Sequence, residues 1–468
     1  MRASVAAEKA GIPSVSLVCS GFERQALATG RGLGIDNLPL AVLNGHVDSV
    51  TSEEMISRFL AQTVPEILRG LTVESLESDA QHGEPSALDI VGCGSIDHIN
   101  DLFARKGWSD GSPIVPPTKD RVDDFIAESG NDPWRVIGQA RPSSRDMTVW
   151  SVAVNAVMAG VRAEHFPVLL AIAEVLADPT YGVEHSGNTT GADALIVVSG
   201  PSTAELGFNS GAGALRDGTP ANTTIGRWLR LYQRNVCGFT ISEHDKATFG
   251  NSARVVLAED HETLREIRDH GWFPLSADFG FDANDDTVTI VRVNGGTIVG
   301  SVFGSTAEQI IAYLADGLAR LSGWELTHNY GLGSGQFQPL LVVSPLLART
   351  FVRSGWSKDD VRSALFEQAR IPAWRYESYI GIWSNLTTGQ PTLTELAAAG
   401  HVPEAFAVST DPNRLVPIVF EPSKFRIAVA GDPNRANAYV MSNDGPHGMW
   451  TSKRIDRSRS DDLVCRVE

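Results

Sequence analysis

The chain has 468 residues, of which 42% are hydrophobic and 20% charged; this is an ordinary globular composition, and the length predicts two or three domains. Its 39 basic and 56 acidic residues give a net charge of −17, and no Lys/Arg stripe with interleaved aromatics opposes it, so we expect no nucleic acid as a partner. No apolar run approaches the roughly 20 residues that cross a bilayer, and no secretory signal opens the chain, so we expect no membrane partner. The four cysteines are far apart and form no CxxC pair, which predicts a reducing, cytoplasmic environment.

The first seventy residues alternate between helical and strand patterns. Acidic residues at the start of the last segment suit a helix N-terminus capped by Thr51. Strands that alternate with helices predict a small parallel sheet. In chain order, the predicted elements are a helix at Arg2–Ala10, a strand at Ser14–Cys19, a helix at Gly21–Gly30, a strand at Leu38–Leu43 and a helix at Thr51–Arg69.

The periodic pattern stops at Val73. From there to Ser86, acidic residues, Ser, Gly and Pro dominate, which is typical of a linker. We therefore predict an N-terminal domain at 1–72, a linker at 73–94, a larger domain at 95–440 and a C-terminal tail at 441–468.

The larger domain begins with an ordered loop, Gly107–Thr118, whose last residue can cap a helix at Lys119–Glu128. Two helices follow that are apolar around much of their circumference, at Met147–Gly160 and Glu164–Ala177, and both are expected to be buried.

Three unbroken apolar segments each end in small residues and proline. They are Ala194–Pro201, Pro339–Pro345 and Phe425–Pro433. Such runs indicate strands covered on both faces, which predicts an α/β fold with a mostly parallel central sheet. Open sheets of this type bind ligands at the carboxyl ends of their strands, so we expect the site there, although tight turns alone would give the same pattern.

A Gly-rich segment, Asn209–Arg227, follows the first of these strands. Asn222 can cap the helix that begins there, and free backbone N–H groups at a helix N-terminus suit a carboxylate or phosphate. The Arg227 guanidinium could add charge-assisted hydrogen bonds to the same anion. The alternative is that the segment is only a surface loop followed by a capped helix. The spacing matches no nucleotide fingerprint, so no nucleotide cofactor is indicated. The predicted substrate-binding residues are Thr189, Thr190, Asn209, Ser210, Asn222 and Arg227.

A second polar cluster runs from Ser242 to Lys246. In an extended chain Glu243 would share a face with Asp245, and His244 with Lys246, and either pair could transfer protons; a solvated turn is the alternative. The predicted catalytic residues are Glu164, Asp245 and Lys246.

The histidines and one cysteine offer two other kinds of chemistry. A metal held by His165, His185 or His244 stays possible, although no HExxH-like spacing supports it. Cys19 precedes a predicted helix N-terminus and is either a nucleophile or a small buried hydrophobe.

The segment Ala10–Phe22, together with Gly30–Gly34, resembles the UGSC-type domain, which is distantly similar to selenoprotein B of glycine- and betaine-type reductases. The family's Cys-containing motif should lie just ahead of Arg2, so either the start is shortened or this member lacks that redox group. Motifs that resemble the usual fused partner domain are Gly107–Thr118, Asn155–Gly160, Asn209–Gly211, Ala221–Arg227 and Gly355–Val361.

The resemblance implies thiol-dependent reductive or eliminative cleavage of a carbon–heteroatom bond. We therefore expect an enzyme, a lyase or a reductase-like protein, that acts on a small carbonyl or carboxylate compound. A metal-assisted hydrolase or lyase and a non-catalytic small-molecule-binding accessory subunit are the alternatives. A homo-oligomer is expected.

Overall fold

The computed structural model describes residues 1–45, 51–72, 86–241, 243–251, 255–384 and 389–457. Ser242 and residues 73–85 of the predicted linker therefore lie outside the described residues, as do residues 458–468 of the predicted tail.

The N-terminal unit has the predicted order of elements. Thr51 caps the third helix, and its hydroxyl and the Glu54 carboxylate form a reciprocal capping box. The two strands pair in parallel, with Ser16 opposite Leu40, as predicted. The elements are α1 (Arg2–Lys9), β1 (Ser16–Cys19), α2 (Glu23–Gly32), β2 (Leu40–Leu43), α3 (Ser52–Arg58), a π-helical turn (Phe59–Thr63) and α4 (Val64–Thr72).

A helical layer opens the larger unit. Its elements are α5 (Ile96–Arg105), α6 (Lys119–Ser129), the antiparallel β3 (Val136–Gln139) and β4 (Asp146–Thr148), α7 (Val149–Ala159), α8 (Phe166–Ala177), β5 (Asp193–Ser199), α9 (Ser202–Glu205) and α10 (Pro220–Tyr232). The most apolar helices, α7 and α8, are buried over most of their circumference, as predicted. One prediction here was wrong: the cap of α10 is Thr219, and Asn222 lies inside the first turn because Pro220 starts the helix.

The rest of the chain completes a central sheet and its second helical layer. The elements are β6 (Leu257–Ala258), α11 (His261–Ile267), β7 (Thr287–Val299), α12 (Ala307–Leu321), β8 (Leu340–Val343), α13 (Pro345–Arg353), α14 (Lys358–Gln368), β9 (Arg370–Pro372), α15 (Ala373–Glu377), α16 (Leu393–Ala398), β10 (Leu415–Pro417), β11 (Arg426–Val429), β12 (Ala438–Asn443) and β13 (Thr451–Arg454). The sheet order is β11-β8-β12-β7-β5-β6, and β13 also pairs with β7.

The α/β class is confirmed, but the expectation of a mostly parallel sheet was wrong. Of the six pairings in this sheet, only β11–β8 and β5–β6 are parallel, and the other four are antiparallel. An unbroken apolar run reports burial on both faces and carries no information on strand direction. Because β5 and β8 are antiparallel, their carboxyl ends do not meet at one edge, and the ligand crevice predicted there does not exist in that form.

The sheet curls until its two edge strands meet. The Asp260 N–H donates to the Val429 carbonyl at 2.8 Å, and the buried Glu259 carboxylate accepts from the Ser199 hydroxyl at 2.7 Å and the Leu275 N–H at 2.8 Å. Side chains from six strands fill the interior, while α7, α8 and α10 cover one part of the outer face and α12, α13 and α14 another. The closed sheet is thus a rigid platform between two helical layers.

The sheet also sets the end of the larger unit. Strands β12 and β13 belong to it, so the fold continues through Arg454, past the boundary predicted at residue 440. Within the described ranges, no helix is long and apolar enough to cross a membrane.

Candidate functional site

A seven-residue loop, Asp444–Trp450, leaves the sheet between β12 and β13. Asn443 pairs with Val293 and Thr451 pairs with Ile290, so both strands lie on the same side of β7 and the loop bulges out between them. Its shape depends on Gly448, which has a φ of +147° and where an added Cβ would lie 1.9 Å from the Tyr181 carbonyl oxygen. Only glycine fits there.

The loop places a carboxylate against a histidine. Asp444 is fully buried, and one of its oxygens lies 3.4 Å from Nδ1 of His447; its other oxygen accepts a hydrogen bond from the Asn188 amide. The His447 ring, whose side chain is 33% exposed, lies with its centroid 5.3 Å from that of the exposed His185. Two imidazoles therefore lie side by side near the surface, and one of them is backed by a buried carboxylate.

Two further buried groups surround the carboxylate. Arg292 stacks on Tyr181 at 4.7 Å and donates to the carbonyls of Gly182 and His447, which fixes the loop; its Nε lies 3.9 Å from Asp444. His328 accepts the Gly445 N–H at Nδ1, while its Nε2 lies 3.9 Å from Asp444.

Neither the Arg292 Nε nor the His328 Nε2 has a hydrogen-bond partner in the described part of the chain. Buried polar atoms are rarely left unpaired in a purely structural cluster. Both atoms instead lie 3.9 Å from the Asp444 carboxylate, which is the charge that faces them.

The surroundings shift the protonation equilibria in opposite directions. Burial alone would raise the pKa of Asp444, but the hydrogen bond from His447 and the charges of His447 and Arg292 outweigh it and lower that pKa. Partial desolvation of its ring, reinforced by the charges of His447 and Arg292, lowers the pKa of His185, and burial lowers the pKa of His328 to about 4. Burial raises the pKa of nearby Glu325, which accepts from Ser442.

At neutral pH, Asp444 is therefore ionised and His185 is neutral. Neighbouring titratable groups whose environments set different protonation states are typical of acid–base sites.

The rim of the site is positively charged. Arg2 and Arg141 both donate to the same oxygen of Glu184, at 3.1 and 3.2 Å, and about half of each arginine side chain is exposed. Two guanidinium groups against one carboxylate leave net positive charge beside His185. This edge favours an anionic group, although the chain as a whole is strongly acidic.

The structure brings some of the predicted residues next to this site. Thr189 and Thr190 follow Asn188 directly, and the Thr190 hydroxyl donates to the Asn188 side chain. The Lys246 N–H donates to the Gly187 carbonyl, so the segment that carries Asp245 packs alongside. The Lys246 ammonium donates to the Gly21 carbonyl at 2.8 Å, which links the larger unit to the N-terminal one.

Other predicted residues lie in a separate structural network. Asn222 is fully buried and bonds to both backbone groups of Asn209 and to the Val256 carbonyl. Arg227 donates to the Asp110 carboxylate through Nε and Nη2, both at 2.9 Å. The guanidinium that was predicted to bind a substrate carboxylate therefore binds the 107–118 loop. The Ser210 carbonyl accepts from Gly431 N–H, just past β11. Their role in substrate binding stays a prediction.

The remaining candidates are scattered. The Glu164 side chain is 54% exposed and faces Arg162, while the buried His165 bonds to the Leu206 carbonyl at 2.8 Å. Across the described ranges, no three His, Cys, Asp or Glu side chains are grouped to hold a metal ion, so His165, His185 and His244 do not converge there.

Among the cysteines, burial raises the pKa of Cys237 to about 12, so it is a neutral thiol, and Cys19 is partly exposed at the end of β1.

Sequence reasoning named His185 only as a possible metal ligand and missed Asp444, His447, Arg292 and His328, although two signals pointed to them. Arg292 is a charge inside the apolar run Thr287–Val293, which has a physical cost unless the charge finds partners. Asn443-Asp-Gly-Pro-His-Gly448 combines a carboxylate and a histidine with two glycines directly after a strand. The first signal lies on β7, and the second lies in the loop that follows β12.

Residues 1–73 match the UGSC family, which confirms the predicted UGSC-type domain at the N-terminus. No curated protein and no solved structure matches the chain.

Proposed function

We propose that this chain is an enzyme that cleaves a carbon–heteroatom bond in a small carboxylate or carbonyl compound by general acid–base elimination. The observation that carries the proposal is the buried Asp444 carboxylate against Nδ1 of His447, with a second imidazole, His185, 5.3 Å away between the ring centroids. A carboxylate that orients one imidazole beside another supplies a positioned acid and a positioned base.

The two histidines take different roles because their environments differ. The lowered pKa of His185 keeps its ring neutral at pH 7, so it can remove the proton next to the substrate carbonyl. The Asp444 carboxylate orients the His447 ring through Nδ1, and His447 acts as the acid that gives a proton to the leaving heteroatom. The C–H and C–heteroatom bonds break, a C=C bond forms, and the displaced group leaves with the proton.

The charge of the rim supports an anionic substrate. Arg2 and Arg141 would hold its carboxylate next to His185, and Asp444 acts through His447 as a positioning residue. The predicted similarity to selenoprotein B would imply cleavage of the same type of bond. The family match at the N-terminus does not test that similarity.

The test is a panel of 3-hydroxy, 3-amino and 3-thio carboxylates incubated with the purified full chain, with vinyl protons of the product followed by ¹H NMR. We expect turnover that falls by about 10²- to 10⁴-fold in His447→Gln and in His185→Gln. His270→Gln changes an exposed histidine on the turn after α11 and serves as the matched control.

Turnover that survives both site substitutions would disprove the proposed roles. Saturable binding of these carboxylates with no product would instead support the accessory-subunit alternative.

A further inference from the structure

Residues 52–72 form one continuous helical segment along the N-terminal unit, which we call the edge helix. It consists of α3, the π-helical turn and α4, which follow one another without a break. Its polar side chains bind the outer edge of β2: the Thr63 hydroxyl donates to the Val42 carbonyl at 3.0 Å, and the Glu66 carboxylate accepts from the Val42 N–H at 2.7 Å. These two residues take the hydrogen-bonding places of a third strand, so the polar face of the helix is fixed against the sheet.

The apolar side chains of the edge helix are exposed instead of buried. Ile56, Leu60, Leu68 and Leu71 are 60%, 64%, 59% and 41% exposed, and Val64 between them is partly buried. The first four positions of this stripe stand four residues apart, which would drift around a helix of 3.6 residues per turn. The wider π-helical turn offsets the drift and keeps the side chains on one face. The edge helix is therefore amphipathic with its apolar face towards solvent, the reverse of an ordinary surface helix.

An exposed apolar stripe of this length is typical of a surface that another molecule covers. Residues 73–85, which follow the helix in the sequence, have only Val73 and Leu76 as large apolar side chains, so their composition does not match the stripe. A lipid surface does not match it either, because helices that lie on membranes carry Lys and Arg on their polar face. Here the polar face carries Thr63 and Glu66 and is turned to the sheet.

The stripe matches a second copy of itself in antiparallel orientation. If residue 62 lies at the centre of such a pair, Ile56 faces Leu68 of the partner subunit, and Leu60 faces Val64 of the partner subunit. The charges then match as well. Glu53 and Arg69 are both exposed, and this register brings Glu53 of one copy to within two residues, about 3 Å along the axis, of Arg69 of the partner subunit. A two-fold axis repeats each of these pairs, as closed dimers require.

We propose that the edge helices of two copies pair in antiparallel orientation, so that the chain forms a two-fold symmetric dimer through its N-terminal unit. The apolar stripes form the centre of the interface, and Glu53 pairs with the partner's Arg69 at both ends. The dimer gives the predicted homo-oligomer a specific surface and symmetry. It does not depend on the elimination proposed for the Asp444 loop.

The first test is the mass of the full chain in solution, measured by sedimentation velocity over a range of concentrations. We expect the unaltered chain to sediment with twice the 50.3 kDa of one chain. Leu60→Asp and Leu68→Asp each place two carboxylates in the apolar centre and should weaken the dimer by at least about 100-fold. Both leucines are exposed in the single chain, so circular dichroism should show an unchanged fold. Val408→Asp, at a valine of the larger unit that is 68% exposed, is the matched control and should leave the dimer intact.

Charge reversal tests the orientation of the two helices. Glu53→Arg alone, or Arg69→Glu alone, places like charges together at both ends of the pair and should weaken the dimer by about 5- to 10-fold at low salt. The two substitutions combined restore opposite charges and should recover most of the affinity. In a parallel pair, Glu53 would lie beside its own copy, so the single reversals would have little effect.

Four results would overturn the proposal. A monomeric unaltered chain at every concentration would leave the stripe to a different partner, and a monomer that cosediments with phosphatidylcholine vesicles would assign it to a lipid surface. A dimer that persists in both Leu60→Asp and Leu68→Asp would place the interface elsewhere. A double charge reversal as weak as the single ones would exclude the antiparallel pairing.

Discussion

The most quantitative prediction concerns the pH dependence of stability and the buried His328. Its side chain has no exposed surface, and burial lowers its pKa from about 6.5 to about 4 against the opposing pull of Asp444. Between these two values the unfolded chain binds a proton on this ring that the folded chain does not. The stability contributed by His328 is therefore complete above pH 6.5 and is lost as the pH falls towards 4.

The magnitude follows from the size of the shift. Each pKa unit corresponds to about 1.4 kcal/mol, so acidification from pH 7.5 to 4.5 should cost the protein about 3 kcal/mol through His328 alone. His328→Gln retains an acceptor for the Gly445 N–H and removes the titration.

The assay is urea unfolding at pH 7.5 and 4.5. Between pH 7.5 and 4.5, the free energy of unfolding should fall in both proteins. The fall should be about 3 kcal/mol smaller in His328→Gln than in the unaltered chain. His270→Gln, at an exposed histidine, should follow the unaltered chain. Equal losses in His328→Gln and the unaltered chain would refute the view that His328 is buried in its neutral form.

Two further predictions concern loops. Arg227→Ala removes both hydrogen bonds to Asp110, so the free energy of unfolding should fall by about 2 kcal/mol. Limited proteolysis should also cut the 107–118 loop faster, and a proteolysis pattern like that of the unaltered chain would contradict this. Gly448→Ala should abolish turnover and lower the free energy of unfolding by more than about 3 kcal/mol, because the new Cβ meets Tyr181. Gly207→Ala, where the φ is +68° and the space around the Cα is open, should lower it by only about 1 kcal/mol in denaturant titrations.

The sequence predicted the elements of the fold where local signals were strong. The helix α7 has Thr148 as its cap and Gly160 in the left-handed conformation at its end, and both fall at the predicted boundaries. The strands β5 and β8 were visible as unbroken apolar runs. Their relative direction depends on connections through β7 and β12, which no local pattern encodes, so the parallel sheet was the wrong inference.

The candidate site was harder to predict because its parts come from distant segments. Arg292 and His328 lie 3.9 Å from Asp444 and His185 lies beside His447, but these residues come from separate segments of the chain that only the folded sheet brings together. In contrast, Asn222 lay in a dense polar, Gly-rich stretch. Amides and charged side chains serve internal hydrogen bonding as readily as ligand binding, so composition alone could not separate the two uses.

The most direct test of the account is the tautomer of His447. Because Asp444 is ionised, it can only accept, so neutral His447 must carry its proton on Nδ1 and leave Nε2 free. Long-range ¹H–¹⁵N NMR of ¹⁵N-histidine-labelled protein reports this directly, with His447→Gln used to assign the signal. The account predicts a protonated Nδ1 in the unaltered chain and loss of that preference in Asp444→Asn. A neutral ring with its proton on Nε2 and none on Nδ1 in the unaltered chain, or the same tautomer in both proteins, would contradict it.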